Sequence, residues 1–192
     1  MTYLLLASIG AAVVVGWMRG GRLSRLGEAA FKWWWAVPAI AAAQALTVYL
    51  MTSTSRLNLL HPRPLIMIGS YIALWVVVFG NRHQPGMALV LAGVTLNLIA
   101  IATNGGYMPI SPHALARIGA GQLAYQIPLG SVVMGSKDVL LHPDGARFWM
   151  LGDNLVIPEP FPWPTAMSIG DVFLAVGVFR FIVRTMRSQT QS

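Results

Sequence analysis

Three fragments set an aspartate after small residues: Gly135-Ser136-Lys137-Asp138, Leu151-Gly152-Asp153-Asn154 and Ser168-Ile169-Gly170-Asp171. Gathered in space, Lys137, Asp138, Asp153 and Asp171 would form one polar site, with carboxylates and an ammonium able to hold a polar substrate or move a proton. Aspartate after glycine also folds readily onto nearby backbone N–H groups, so turn formation and loop anchoring are the competing reading. Asp171 is the most informative of the four. It falls in the first turns of an apolar helix, where an ionisable residue points to a site, although the helix dipole also favours a carboxylate there. His113 and His142 lie in the same region, but no ligand spacing of the H-E-x-x-H kind occurs and no metal site is expected. The chain has no cysteine, which excludes disulfides, thiolate metal sites, iron–sulfur clusters and cysteine nucleophiles.

The elements that must position these residues are greasy. Of 192 residues, 56% are hydrophobic and only 10% charged, with a mean hydropathy of +0.63. A soluble domain carries about 25% charged residues. The apolar residues cluster into five blocks, at about 2–18, 33–51, 65–80, 87–102 and 165–181. Each approaches the roughly 20 residues of a membrane span, with interfacial residues or bilayer thinning making up the difference. The expected fold is a single all-α membrane domain over 1–192: a polytopic helical bundle of about five spans, with a long Pro-rich cap over 104–164 between the fourth and fifth.

The charges orient that bundle. Arg19, Arg22, Arg25, Lys32, Arg82, Arg180, Arg184 and Arg187 fall on one side. Arg56, Arg63, Arg117, Lys137 and Arg147 fall on the other, with Asp138, Asp144, Asp153 and Glu159. The positive-inside bias puts the N-terminus outside and the C-terminus in the cytoplasm. The first block is read as a retained helix, because its basic residues follow the apolar run. The net charge of +7 has no basic stripe or nucleic-acid-binding motif behind it, so the expected partners are membrane lipids and other membrane subunits, with no nucleic acid.

Within the spans, Gln44 and Asn97 suit interhelical hydrogen bonds or contact with a quinone or lipid headgroup. Ala7 and Ala11, Ala39 and Ala43, Ala88 and Ala92, and Ala166 and Gly170 are four apart, a spacing that lets helices approach closely. In the cap, Ser111-Pro112 reads as a helix start. Residues 123–134 and 148–157 are apolar but too short to span. The run Pro158-Glu159-Pro160-Phe161-Pro162-Trp163-Pro164 reads as a stiff strap with aromatics at the membrane boundary.

Leu151-Gly152-Asp153-Asn154 resembles one box of bacterial signal peptidases, but the Ser-Met nucleophile box and a separate lysine box are missing. A broader likeness begins at Asn104-Gly105-Gly106-Tyr107-Met108-Pro109-Ile110-Ser111. With the three aspartate fragments, this run resembles an uncharacterised family of small bacterial membrane proteins, a domain of unknown function. The resemblance covers nearly the whole chain and implies a bacterial cytoplasmic membrane. It brings no activity or cofactor, and the cofactor remains unknown. Its matched residues lie in the cap and at the return into the fifth helix, which adds Asn104 to the candidate polar site. Three functions follow: an accessory or assembly subunit binding partners or lipid, an enzyme acting on a lipid-linked or polar substrate at the outer surface, and a quinone- or pigment-binding subunit.

Overall fold

A computed structural model describes residues 2–50, 62–133 and 135–187. Five long helices dominate: α1 (Thr2–Met18), α3 (Ala36–Leu50), α4 (Pro62–Gly80), α5 (Met87–Thr103) and α8 (Ile169–Arg187), with a short α2 (Ser24–Glu28) between the first two. They pack as a row in the order α3, α4, α5, α8, α1. One of them, α4, is both long and apolar enough to cross a membrane by length and composition. The helices α1, α3 and α5 are apolar but 15 to 17 residues long. The 19 residues of α8 include Asp171, Arg180, Arg184 and Arg187. At 1.5 Å per residue the five run from about 22 to about 28 Å.

Three block boundaries move. The second helix begins at Ala36, because Trp33 to Trp35 form a turn; Pro38 sits in its first turn, where a missing N–H leaves no bond unmade. The end of that block at Met51 lies outside the described residues, as does Arg56. The third helix starts at Pro62 rather than Leu65, with Pro62 and Pro64 taken into its first turn. The fifth block opens as a strand, not a helix. Residues Thr165–Met167 pair with Leu155–Ile157, and the helix then runs from Ile169 to Arg187.

The fold is therefore mainly helical but not all-α. The cap holds two small sheets. Strand β1 (Met108–Ile110) pairs in parallel with β2 (Asp138–Leu140), and β3 (Leu155–Ile157) pairs antiparallel with β4 (Thr165–Met167). Three-residue strands in loops carry no periodicity to read. Ser111 caps α6 (Pro112–Leu115), accepting from the Ala114 N–H at 3.1 Å, and α7 (Gly121–Gln126) covers part of the 123–134 segment. The buried cap residues Ile110, Leu115, Val133 and Leu140 form a small core of their own.

The close helix contacts use glycine at a spacing of seven, not four. A Cβ on Gly93 would meet the Gly170 carbonyl at 2.5 Å, and one on Gly177 would meet Gly86 O at 2.9 Å, so α5 and α8 touch backbone to backbone. Of the pairs four apart, Ala88 is exposed and Ala166 lies in a strand. Hydrogen bonds join the rest of the row: Gln44 Nε2 donates to Ser70 Oγ (2.9 Å), Trp75 Nε1 to Thr95 Oγ1 (3.1 Å) and Ser8 Oγ to Ala175 O (2.6 Å).

Candidate functional site

Each aspartate fragment owes its position to a local device. In 135–138, the Ser136 hydroxyl accepts from the Asp138 N–H (2.9 Å) and turns the chain into β2, whose pairing begins with Met108 opposite Asp138. In 151–154, Gly152 abuts β1 so tightly that a Cβ would meet the Pro109 carbonyl at 2.3 Å. That approach lets the Asp153 N–H donate to Pro109 O at 2.9 Å. The two loops thus flank β1 and deliver their side chains to the same place.

There the Lys137 ammonium meets Asp153 Oδ2 at 2.9 Å and Asp138 Oδ1 at 3.8 Å. The site is closed: the Lys137 side chain is 17% exposed and that of Asp153 is 4%. Burial alone would lower the Lys137 ammonium, but the Asp153 and Asp138 carboxylates outweigh it and hold it well above the ordinary lysine value. Burial pushes the Asp153 carboxyl up; against the pull of Lys137, the charges of Asp138 and Asp171 add to the rise and bring it to about 7. Within the cluster, Asp138 Oδ1 and Asp153 Oδ1 are buried without a hydrogen-bond partner, as is the neighbouring Asn154 Oδ1. Arg63, at the start of α4, donates from a terminal guanidinium nitrogen to Ser136 O and lies over the Tyr107 ring at 5.4 Å.

Asp171 belongs to an adjoining network. Its backbone N–H donates to Ser168 Oγ (3.0 Å) and its Oδ2 accepts from the Ser168 N–H (3.2 Å), a reciprocal capping box at the start of α8. Asn97 of α5, fully buried, donates to Asp171 Oδ1 (2.8 Å) and accepts from the Ser168 hydroxyl (2.8 Å). The Asp171 charge acts on both Lys137 and Asp153, so all four side chains lie within one electrostatic neighbourhood.

Asn104 stands apart. Its Oδ1 accepts from the Arg147 N–H (2.9 Å) and its Nδ2 donates to the carbonyls of Arg147 (2.8 Å) and Ala100 (2.7 Å), tying the end of α5 to the cap. Gln44 and Asn97, the candidate quinone contacts, both direct their amides at neighbouring helices. Among the described residues, no three of the His, Asp and Glu side chains gather in a way that could hold a metal ion. A recess on the cap, lined by Pro109, Ser111, Leu141, Trp149 and Asn154 among others, has a cavity volume of about 10 Å³, room for a single water and far below the usual ligand-pocket range of roughly 300–1,000 Å³.

Arg63, Ser168 and Tyr107 were not among the candidates. Ser168 had a readable signal, since a serine three residues before an acidic residue at the head of an apolar run marks a capping box. Arg63 looked like an ordinary span flank; only the fold shows it reaching Ser136.

The sequence profile of a family of unknown function, DUF5317, matches residues 28–183. The chain belongs to that family. The match takes in the whole cap, α3, α4, α5 and most of α8, and leaves out α1. An uncharacterised protein of Thermotoga maritima is 27% identical over 147 residues, covering 75% of this chain and 78% of that one. No solved structure matches.

Proposed function

We propose that this DUF5317 member is a five-span protein of the bacterial cytoplasmic membrane. Its N-terminus and cap lie outside and its C-terminus in the cytoplasm, and it acts as an accessory or assembly subunit that binds partners or lipid. The observation that carries the reading is where the large apolar side chains lie. Leu6, Val14, Leu46, Leu65, Ile72 and Val176 are exposed along α1, α3, α4 and α8, with similar residues beside them. In water so many exposed apolar side chains would drive association; facing lipid, they are at home. Helices slightly short for a bilayer of about 30 Å fit with local thinning and interfacial tryptophans.

The ion-pair cluster suits a subunit whose cap must hold its shape. It joins β1, β2 and the 151–154 loop beside the entry to α8, and the Ser168–Asp171–Asn97 network continues the junction into α5. Washing membranes with alkaline carbonate should leave the chain in the pellet. Purification in mild detergent should bring a stoichiometric partner or ordered lipid. Recovery of the native chain in the aqueous fraction would end the membrane reading; a lone, lipid-free chain would end the accessory one.

One observation favours a second reading, an enzyme acting on a lipid-linked or polar substrate at the outer surface. Asp138 Oδ1 and Asp153 Oδ1 lack hydrogen-bond partners beside a lysine, so the cluster has acceptor capacity to offer. In that case Asp153→Asn would abolish cellular function at normal abundance. Loss of the protein itself in that variant would return the carboxylates to a structural role.

A further inference from the structure

At the end of the helix row opposite the cap, four arginines from two segments lie at the level of the last turns of α8. The Arg22 N–H donates to the Met186 carbonyl at 3.0 Å, and Arg25 Nη1 donates to the same oxygen at 3.0 Å. Gly21 packs on Met186 so closely that a Cβ would lie 2.8 Å from the Met186 Cβ. Arg184 and Arg187, three apart and therefore on one helix face, flank Met186 on α8 itself, and both are exposed, as is Arg22. Among the described residues none of these four forms an ion pair. Exposed apolar side chains lie in the same segment: Trp17, Met18 and Leu23 are each more than half exposed, with Arg19, Ser24 and Glu28 exposed among and after them.

We propose that this cluster is a binding site for the phosphate group of an anionic phospholipid in the cytoplasmic leaflet. Arg22, Arg184 and Arg187 clamp the headgroup, while Trp17, Met18 and Leu23 lie against the acyl chains. Guanidinium matches phosphate with paired N–H donors, and several arginines without a carboxylate partner leave charge for an anion to neutralise. Arg25 has a different task. By donating to Met186 O it satisfies a carbonyl that the helix end leaves free, and it fixes the 20–25 segment against α8. The adjacent exposed tryptophan and methionine select a phosphate that carries hydrocarbon over a free one. The site rests on the topology proposed above, since it needs this end of the row to meet the cytoplasmic leaflet.

Native mass spectrometry of the protein in mild detergent, titrated with phosphatidylglycerol, phosphatidylcholine or inorganic phosphate, tests the site. Phosphatidylglycerol is expected to bind as a discrete adduct and to raise the unfolding temperature, with phosphatidylcholine and inorganic phosphate doing neither. The double variant Arg22→Gln with Arg187→Gln keeps the Arg25 contact and should bind phosphatidylglycerol about tenfold more weakly. Arg117→Gln, in the cap, should bind as the parent does. Equal binding of both lipids, unchanged affinity in the double variant, or stabilisation by inorganic phosphate alone would each overturn the proposal. Carbonate extraction of the parent reads the topology separately, so a membrane-embedded chain without lipid preference counts against this site alone.

Discussion

Lys137 is the residue on which the cap cluster turns, because it faces two carboxylates from the interior. Replacing it with methionine strands Asp153 without its ion partner. Breaking a buried pair from one side costs about 3–5 kcal/mol, so Lys137→Met should sharply lower the thermal midpoint in detergent. Adding Asp153→Leu should restore part of the loss, since the closer and more deeply buried of the two stranded carboxylates is then gone while Asp138 remains. The pH dependence follows from Asp153. Its carboxyl rises to about 7 in the folded chain, so folding favours the protonated form. That contribution is complete below the ordinary carboxylate value of roughly 4 and disappears as pH rises through about 7. Lys137 has a raised value too, and its share persists until the pH passes the lysine range. Unfolding followed from pH 4 to 8 should therefore show a decline that Asp153→Asn flattens.

At the scale of elements, the decisive contact is between α5 and α8, where Gly93 and Gly170 bring two backbones together beside Asn97. A methyl at position 170 would sit 2.1 Å from Asn97 Oδ1. Gly170→Ala should thus destabilise by about 1–3 kcal/mol and loosen the Ser168–Asp171–Asn97 network, whereas Gly10→Ala, with open space around it, should stay within about 0.5 kcal/mol. Thermal unfolding of the two variants side by side checks this. These contacts also mark what could be read in advance. Apolar runs announced the five long helices, and Ser111-Pro112 announced the capped start of α6. The seven-residue glycine pairing was missed because it becomes visible only once α5 and α8 are known neighbours. The 165–167 strand was missed because Thr165-Ala166-Met167 is as apolar as the helix it precedes; its hydrogen bonds to 155–157 decide the matter. The gathering of Lys137, Asp138 and Asp153 depends on two contacts with β1 that no spacing reveals, the parallel pairing with β2 and the Asp153 N–H bond to Pro109 O. Asn104 shared their motifs but is committed to Arg147.

For the molecule as a whole, charge is sorted along the helix row. Arg22 and Arg25 contact the C-terminal turn of α8, Lys32 exchanges backbone hydrogen bonds with the Asn81 side chain, and Gln84 donates to Ala30. These contacts bring the basic segments between α1 and α3 and between α4 and α5 to one end, with the end of α8. At the other end the Tyr3 ring stacks on Trp163 of the strap, 6.4 Å between centroids. The start of α1 therefore lies with the cap, and the end of α8 lies with the arginines. In a bilayer that arrangement becomes a topology. The absence of cysteine makes it directly measurable, because single cysteines can be placed on an otherwise blank chain. Tyr125→Cys, on a highly exposed cap residue, should react with a membrane-impermeant maleimide in intact cells. Ser24→Cys, exposed in α2 among the arginines, should react only after the membrane is opened. Labelling of both cysteines from the same side of the membrane would contradict the account.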